Sequence, residues 1–231
     1  MKNKIDIYYD GSDYIQEYIK TADGVTTNIG FLKKSNITDY EAFIKETVKL
    51  NNQNKPVSFQ VFGETLEECR SQALKISSFG EEVFVKIPVV GPHGQDFTSL
   101  VREMVLDAKL NINTTCVYTK DQIDDLDFLN MTDKKTIVSI FCGRIGDTGA
   151  DPFDIVNYAV SKFRNNDNVK ILWAGCQRVL DILHAEKSGC DIITVPKGVY
   201  DKMNRIGVSL HDFSVKTSYD FHMDGSQLIL K

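Results

Sequence analysis

Long apolar runs are missing from this sequence. No segment approaches the roughly 20 consecutive apolar residues that cross a bilayer, and the start, Met1 to Asp13, carries Lys2 and Lys4 but no apolar stretch of signal-peptide length. The expectation is a chain with no place in a membrane and the cytoplasm as its default location. Runs of Lys and Arg are missing too. The net charge is -5, from 27 basic and 32 acidic residues, so no continuous positive face meets a phosphate backbone, which argues against nucleic acid as a partner.

Paired cysteines are also absent. Cys69, Cys116, Cys142, Cys176 and Cys190 are scattered, odd in number and never spaced C-x-x-C, which argues against a disulfide framework or a zinc site. They read as small buried hydrophobes. His93, His184, His211 and His222 lack metal-ligand spacing, so no metal or other cofactor is expected.

What is present is a 42% apolar, 26% charged chain of 231 residues, enough for a sizeable core under a solvated surface. That length suits one large domain and is close to the usual span of a (β/α)8 barrel. Strand-like runs rich in Val, Ile, Phe and Tyr fall at 5–9, 24–27, 56–61, 82–88, 112–118, 136–142, 169–174 and 191–196. They alternate with segments of helical period, the signature of βα units around a parallel sheet.

Two helix faces are legible between them: Phe97, Leu100, Val101, Met104, Val105 and Ala108, then Phe153, Val156, Ala159, Val160 and Phe163. Thr65 and Glu68 have capping-box spacing, and Asp151 precedes a proline suited to the first helical position. Ser12 and Asp13 read as caps for the first helix. The reading is an α/β protein, a single-domain (β/α)8 TIM barrel over 1–207 with a C-terminal tail over 208–231. Leu210, Phe213, Val215, Tyr219, Phe221, Leu228 and Ile229 make that tail too apolar to dangle, so it should cover the barrel or a neighbouring subunit of a homo-oligomer.

Active sites of such barrels lie at the carboxyl ends of the strands. The polar residues there are Asp10, Thr27, Asn28, Gln60, Lys86, Asn113, Thr115, Ser139 and Arg144. Lys86 sits in the apolar run VFVKIPVV, where an ammonium is unfavourable unless its charge is lost or paired. A neutral amine there can attack a ketone and form a Schiff base; a lysine reaching across the barrel to a carboxylate fits the segment equally well. Asp10 follows IDIYY and can move a hydroxyl proton at the barrel mouth, or serve a loop. Thr27 and Asn28 suit a polyhydroxy ligand, and Arg144 suits a phosphate or carboxylate, with a rim salt bridge as its structural alternative.

Together these segments, YYDGSD, DGVTTN, SFQV, FVKIPV, NINTTCVY, SIFCGRI and SGCDIITVP, resemble in order and spacing the transaldolase family, including its small branch of fructose-6-phosphate aldolases. The resemblance implies a class I, Schiff-base-forming enzyme that transfers a dihydroxyacetone unit from a ketose, or ketose phosphate, to an aldehyde, without cofactor. Free aldol cleavage and a non-catalytic binding protein are the alternatives. It implies Lys86 as the Schiff-base lysine, Asp10 as the acid-base group, and Gln60 and Thr115 as holders of the catalytic water. Asn28, Ser139 and Asn113 would touch the dihydroxyacetone unit, and Arg144 the acceptor's phosphate.

Several positions depart from the family pattern. Asn28 is followed by Ile29 where the family usually has proline. The seventh strand should end in a serine with a cation two residues on; Gly175 and Gln177 stand there, with Arg178 one place further. Losing two charge-assisted contacts of roughly 1.5 to 3 kcal/mol each should weaken phosphate binding unless Arg178 or Lys33 compensates. The substrate then extends beyond the usual sugar phosphates of the pentose phosphate route to a specialised sugar or an unphosphorylated aldehyde. Gln60 matches the aldolase branch, whereas Phe141 matches transaldolases, where the aldolases have a tyrosine, and so points to transfer.

Overall fold

The computed structural model describes residues 5–226 and residue 228. Eight parallel strands close in chain order: β1 (Asp6–Asp10), β2 (Gly24–Thr26), β3 (Val57–Gln60), β4 (Val83–Pro88), β5 (Ile112–Val117), β6 (Thr136–Ile140), β7 (Val169–Trp173) and β8 (Ile192–Pro196). Seven of the eight lie inside a run read from the sequence, and β1 runs one residue past its run, to take in Asp10. The helices are α1 (Ile15–Tyr18), α2 (Ile29–Lys34), α3 (Tyr40–Leu50), α4 (Leu66–Ser77), α5 (Thr98–Arg102), α6 (Lys120–Asp124), α7 (Cys142–Asp147), α8 (Phe153–Phe163), α9 (Val179–Ser188), α10 (Lys197–Tyr200) and α11 (Leu210–Gly225).

The period-2 alternation of a strand divides the core in two. Outward-facing Tyr9, Val25, Phe59, Val85, Ile112, Val138, Ile171 and Ile193 join the helix faces in the main apolar cluster. Each such buried side chain stabilises the fold by roughly 1.5 to 3 kcal/mol. Inward-facing Tyr8, Phe84, Ile137, Leu172 and Ile192 form a second cluster, the barrel floor. Gly24 makes room for it, since a Cβ there would stand 2.7 Å from the Tyr8 ring.

Two residues further along the strands the same inner face turns polar. Asp10 follows Tyr8, Thr26 follows Gly24, Lys86 follows Phe84, Ser139 follows Ile137 and Thr194 follows Ile192. A polar chamber therefore opens on an apolar floor, at the carboxyl end of the barrel.

The local start signals are partly as read. Thr65 and Glu68 form the expected capping box on α4, and the Asp151 carboxylate accepts from the Phe153 amide at 2.9 Å, with Pro152 at the cap position of α8 and Phe153, not the proline, as its first helical residue. Ser12 and Asp13 do not cap α1. Tyr14 holds the cap position with φ 54°, while Ser12 bonds Ser35 at 2.9 Å and Asp13 accepts from the Tyr9 hydroxyl. Asn28 caps α2 through Phe31 N–H at 3.0 Å, so Ile29 takes the first helical position that a proline would also suit.

The stripe from Phe97 to Val105 is buried as expected, with α5 widening into a π-helical turn at Glu103–Asp107. The tail forms α11, none of whose residues is buried: Leu210 is 88% and Phe221 71% exposed. Ile229 lies outside the described residues. No described helix is long and apolar enough to cross a membrane.

Candidate active site

Lys86 is buried in β4, and its Nζ donates to the Thr27 carbonyl at 3.4 Å. It forms no salt bridge with a described carboxylate, although the Asp10 carboxylate across the barrel is near enough for the two charges to act on each other. Asp10 is half-buried at the end of β1 and accepts from the Thr26 hydroxyl at 2.9 Å. Thr26 in turn bonds Thr194, and because its own proton goes to Asp10, Thr194 is the donor.

Burial dominates the electrostatics of both groups. It pushes the Lys86 amine below the ordinary lysine value against the opposing pull of the Asp10 carboxylate and, where it is ionised, of the Cys116 thiolate. It pushes the Asp10 carboxyl above the ordinary range, against Lys86 and the Thr26 hydrogen bond. An amine more often neutral than a surface lysine thus shares a chamber with a carboxyl that keeps its proton longer than a surface aspartate. Such a pair can attack a carbonyl and move a proton at near-neutral pH.

A hydrogen-bonded chain lines the next strands. The Ser139 hydroxyl donates to Asn113 Oδ1 at 2.7 Å, and Asn113 Nδ2 donates to Ser58 Oγ at 3.0 Å, all three buried. Thr115 Oγ1 is buried without a hydrogen-bond partner of acceptable geometry, with the Cys116 thiol against it. The Gln60 side-chain amide, on the inner face of β3, bonds no described residue. An orphaned hydroxyl and a free amide are what a bound water would satisfy.

Thr27 is fully buried, and its hydroxyl donates to the Ser58 carbonyl at 2.8 Å. Asn28 spends its oxygen on α2, while its Nδ2 has no described partner. Arg144 lies on α7 with its guanidinium 5.5 Å from the Phe141 ring centre. It has no described acidic partner, so the rim salt bridge is not formed. Phe141 also stacks on Tyr118, centroids 5.4 Å apart.

The β7 loop departs from a phosphate cradle. Gly175 has φ +77°, and Gln177 Nε2 donates to Asp147 at 3.1 Å. Arg178 pairs with the buried Asp181 at 3.2 Å. Arg178 therefore lines a cavity of about 550 Å³ outside the barrel wall, with Trp173, Phe153 and His184, and does not join Arg144. Thr26, Thr194 and Ser58 were not singled out as site residues from the sequence, and Cys116, read there as a small buried hydrophobe, is partly exposed. For the first two the signal was there, since period 2 from Gly24 and Ile192 puts them beside Asp10.

Among solved structures, thiamine phosphate pyrophosphorylase from Pyrococcus furiosus superposes with a TM-score of 0.54 at 13% identity, covering 84% of this chain and 87% of its own, which shows the barrel fold alone. Sequence similarity is more specific. A protein of Thermoplasma volcanium described as a probable transaldolase is 31% identical over 180 residues, 77% of this chain and 76% of its own. A probable transaldolase of Nitrosopumilus maritimus is 27% identical over 183 residues, 78% and 77% of the two chains. Residues 8–224 match the Transaldolase/Fructose-6-phosphate aldolase family, and the chain belongs to it. It is an enzyme of the transaldolase-like aldolase kind.

Proposed function

We propose that the chain transfers a dihydroxyacetone unit from a ketose donor to an aldehyde acceptor through a Schiff base on Lys86. The observation that carries this is the buried Lys86 amine sharing the polar chamber with Asp10 while forming no salt bridge. The amine adds to the ketose carbonyl, and loss of water leaves an iminium on Nζ. Asp10 then takes the proton of the hydroxyl on the carbon beyond the scissile bond. That bond breaks, its electrons pass into the iminium to give an enamine, and an aldehyde departs. The acceptor aldehyde reverses the sequence, with Asp10 returning the proton.

Gln60 and the orphaned Thr115 hydroxyl hold the water that is lost and regained. Ser139, Asn113 and Asn28 Nδ2 meet the hydroxyls of the three-carbon unit. Phe141 offers no hydroxyl to activate water on the adduct, which favours transfer over free cleavage. Arg144, free of acidic partners, is the anion contact for the acceptor. Gly175 and the outward-turned Arg178 leave it without the two further contacts, so unphosphorylated or specialised acceptors fit. The apolar residues of α11 support assembly with further copies of the chain.

Borohydride reduction in the presence of dihydroxyacetone or a ketose, followed by peptide mass spectrometry, tests the mechanism. The expected result is a reduced adduct on Lys86. An adduct of equal yield on Lys86→Met removes this lysine from the reaction.

A further inference from the structure

Cys116 occupies an unusual place in β5. Along this strand Thr114 pairs with Val138 but Val117 pairs with Ile140, so three steps on β5 match two on β6. The extra residue is Cys116, in the left-handed region at φ +61°. A bulge of this kind re-aims a side chain, and bulges concentrate beside active sites. Val117 is thereby returned to the outer core, where it is fully buried.

The thiol itself is not part of that core. Cys69, Cys142, Cys176 and Cys190 are buried, whereas Cys116 is partly exposed. It stands on the strand between β4, which carries Lys86, and β6, which leads to Arg144, and the charges of both act on its sulfur. Beside it lies the Thr115 hydroxyl, only 1% exposed, set against the thiol and with no oxygen or nitrogen partner among the described residues.

We propose that Cys116 forms the wall of the reaction chamber between Lys86 and Arg144 and sets, by its side-chain volume, which aldehyde acceptors reach the lysine adduct; this rests on the Schiff-base reading above. Burial pushes its thiol up, so at neutral pH the wall is an uncharged S–H. A bulky or branched carbon next to the acceptor aldehyde meets the sulfur, while a linear acceptor passes it and reaches Arg144 with its distal group.

Two variants test this without straining the backbone, since glycine and asparagine are the residues that tolerate φ near +60°. Cys116→Gly should raise kcat/KM for an aldehyde branched at the carbon next to the carbonyl about tenfold relative to glyceraldehyde. Cys116→Asn should lower that ratio by about as much, the usual scale for a small change of volume in a substrate pocket. In the parent protein, methyl methanethiosulfonate at pH 8.5 should label Cys116 ahead of the four buried cysteines, and saturating fructose 6-phosphate should slow the labelling at least fivefold.

A ratio that stays within twofold of the parent in both variants overturns the proposal, and so does labelling that the ligand leaves unchanged. Borohydride trapping on the parent stands apart from both readouts. Its failure removes the Schiff base, while the protection of Cys116 still reports whether the thiol faces the ligand.

Discussion

Gly143 and Gly175 touch where the neighbouring strands β6 and β7 end: a Cβ on Gly143 would lie 1.9 Å from the Gly175 carbonyl oxygen, and Gly143 N–H donates to the Ala174 carbonyl at 3.2 Å. The start of α7 and the β7 loop are thus held at backbone contact, in the place where the family pattern expects a serine hydroxyl. Gly143→Ala forces two backbones apart. Its melting temperature should fall by several degrees, at about 2 to 4 °C per kcal/mol for a chain of this size; an unchanged melting curve would show that the contact yields freely.

The same contact changes what a restored phosphate site would do. Gly175→Ser with Gln177→Arg returns the two family residues, yet serine at φ +77° is strained by roughly 1 to 2 kcal/mol. A Cβ there also stands 3.3 Å from Gly143 N. The double variant should melt lower than the parent, and it should gain phosphate preference only if the loop re-forms. Differential scanning calorimetry alongside acceptor kinetics separates the two effects.

In the parent, matched phosphorylated and unphosphorylated aldehydes should differ in kcat/KM by less than about tenfold, because, of the family's three phosphate contacts, two cations and a hydroxyl, Arg144 alone is kept. Arg144→Leu should then remove most of that preference. A ratio near a thousandfold, roughly 4 kcal/mol, would mean that other residues rebuild the site.

Asp10→Asn should slow carbon–carbon cleavage by about two to four powers of ten, the range for a positioned acid-base group. It should also move the pH dependence of adduct formation. The Asp10 carboxylate raises the Lys86 value, so its removal lowers that value further, and the acid limb of the profile shifts to lower pH. Stopped-flow trapping across pH reads this shift; a limb that stays put would separate the two groups electrostatically.

Lys86 is also a stability liability. Between its lowered value and the ordinary lysine value the unfolded chain binds a proton that the folded chain gives up, so stability rises with pH through that window. Lys86→Met removes the buried cation. It should melt about 2 to 4 °C higher per kcal/mol regained, with a weaker dependence on alkaline pH, and an unaltered thermal profile would mean that the amine is solvated in the fold.

The strands were legible because each carries its own apolar run, bounded by turns, and burial on both faces demands such runs. Lys86 was legible for the same reason, as a charge where the pattern forbids one. The bulge at Cys116 was not, since INTTCVY gives no local sign of which residue is surplus; that depends on how β5 pairs with β6. Ser12 and Asp13 misled because good capping residues precede α1, but Tyr9 and Ser35, distant in sequence or on another element, claim them first. Arg178 illustrates the same limit. Its direction is fixed by Asp181, one helical turn on, which also accepts from the Gln177 and Arg178 amides at 2.8 and 2.9 Å.

The apolar floor of Tyr8, Phe84, Ile137, Leu172 and Ile192 and the polar chamber above it share strands but not tasks. Because they are offset by two residues on four of these five strands, with Ala174 above Leu172 as the exception, a substitution in the chamber leaves the next inward side chain below it in place. Mutational tolerance should therefore be graded along the barrel axis: a library at Arg144, with Cys116 varied to glycine and asparagine, should stay folded while its acceptor range diverges, and equal diversity at the floor should yield few soluble proteins. The barrel is in this sense already divided for evolution, with a part that is inherited and a part that is free to change chemistry.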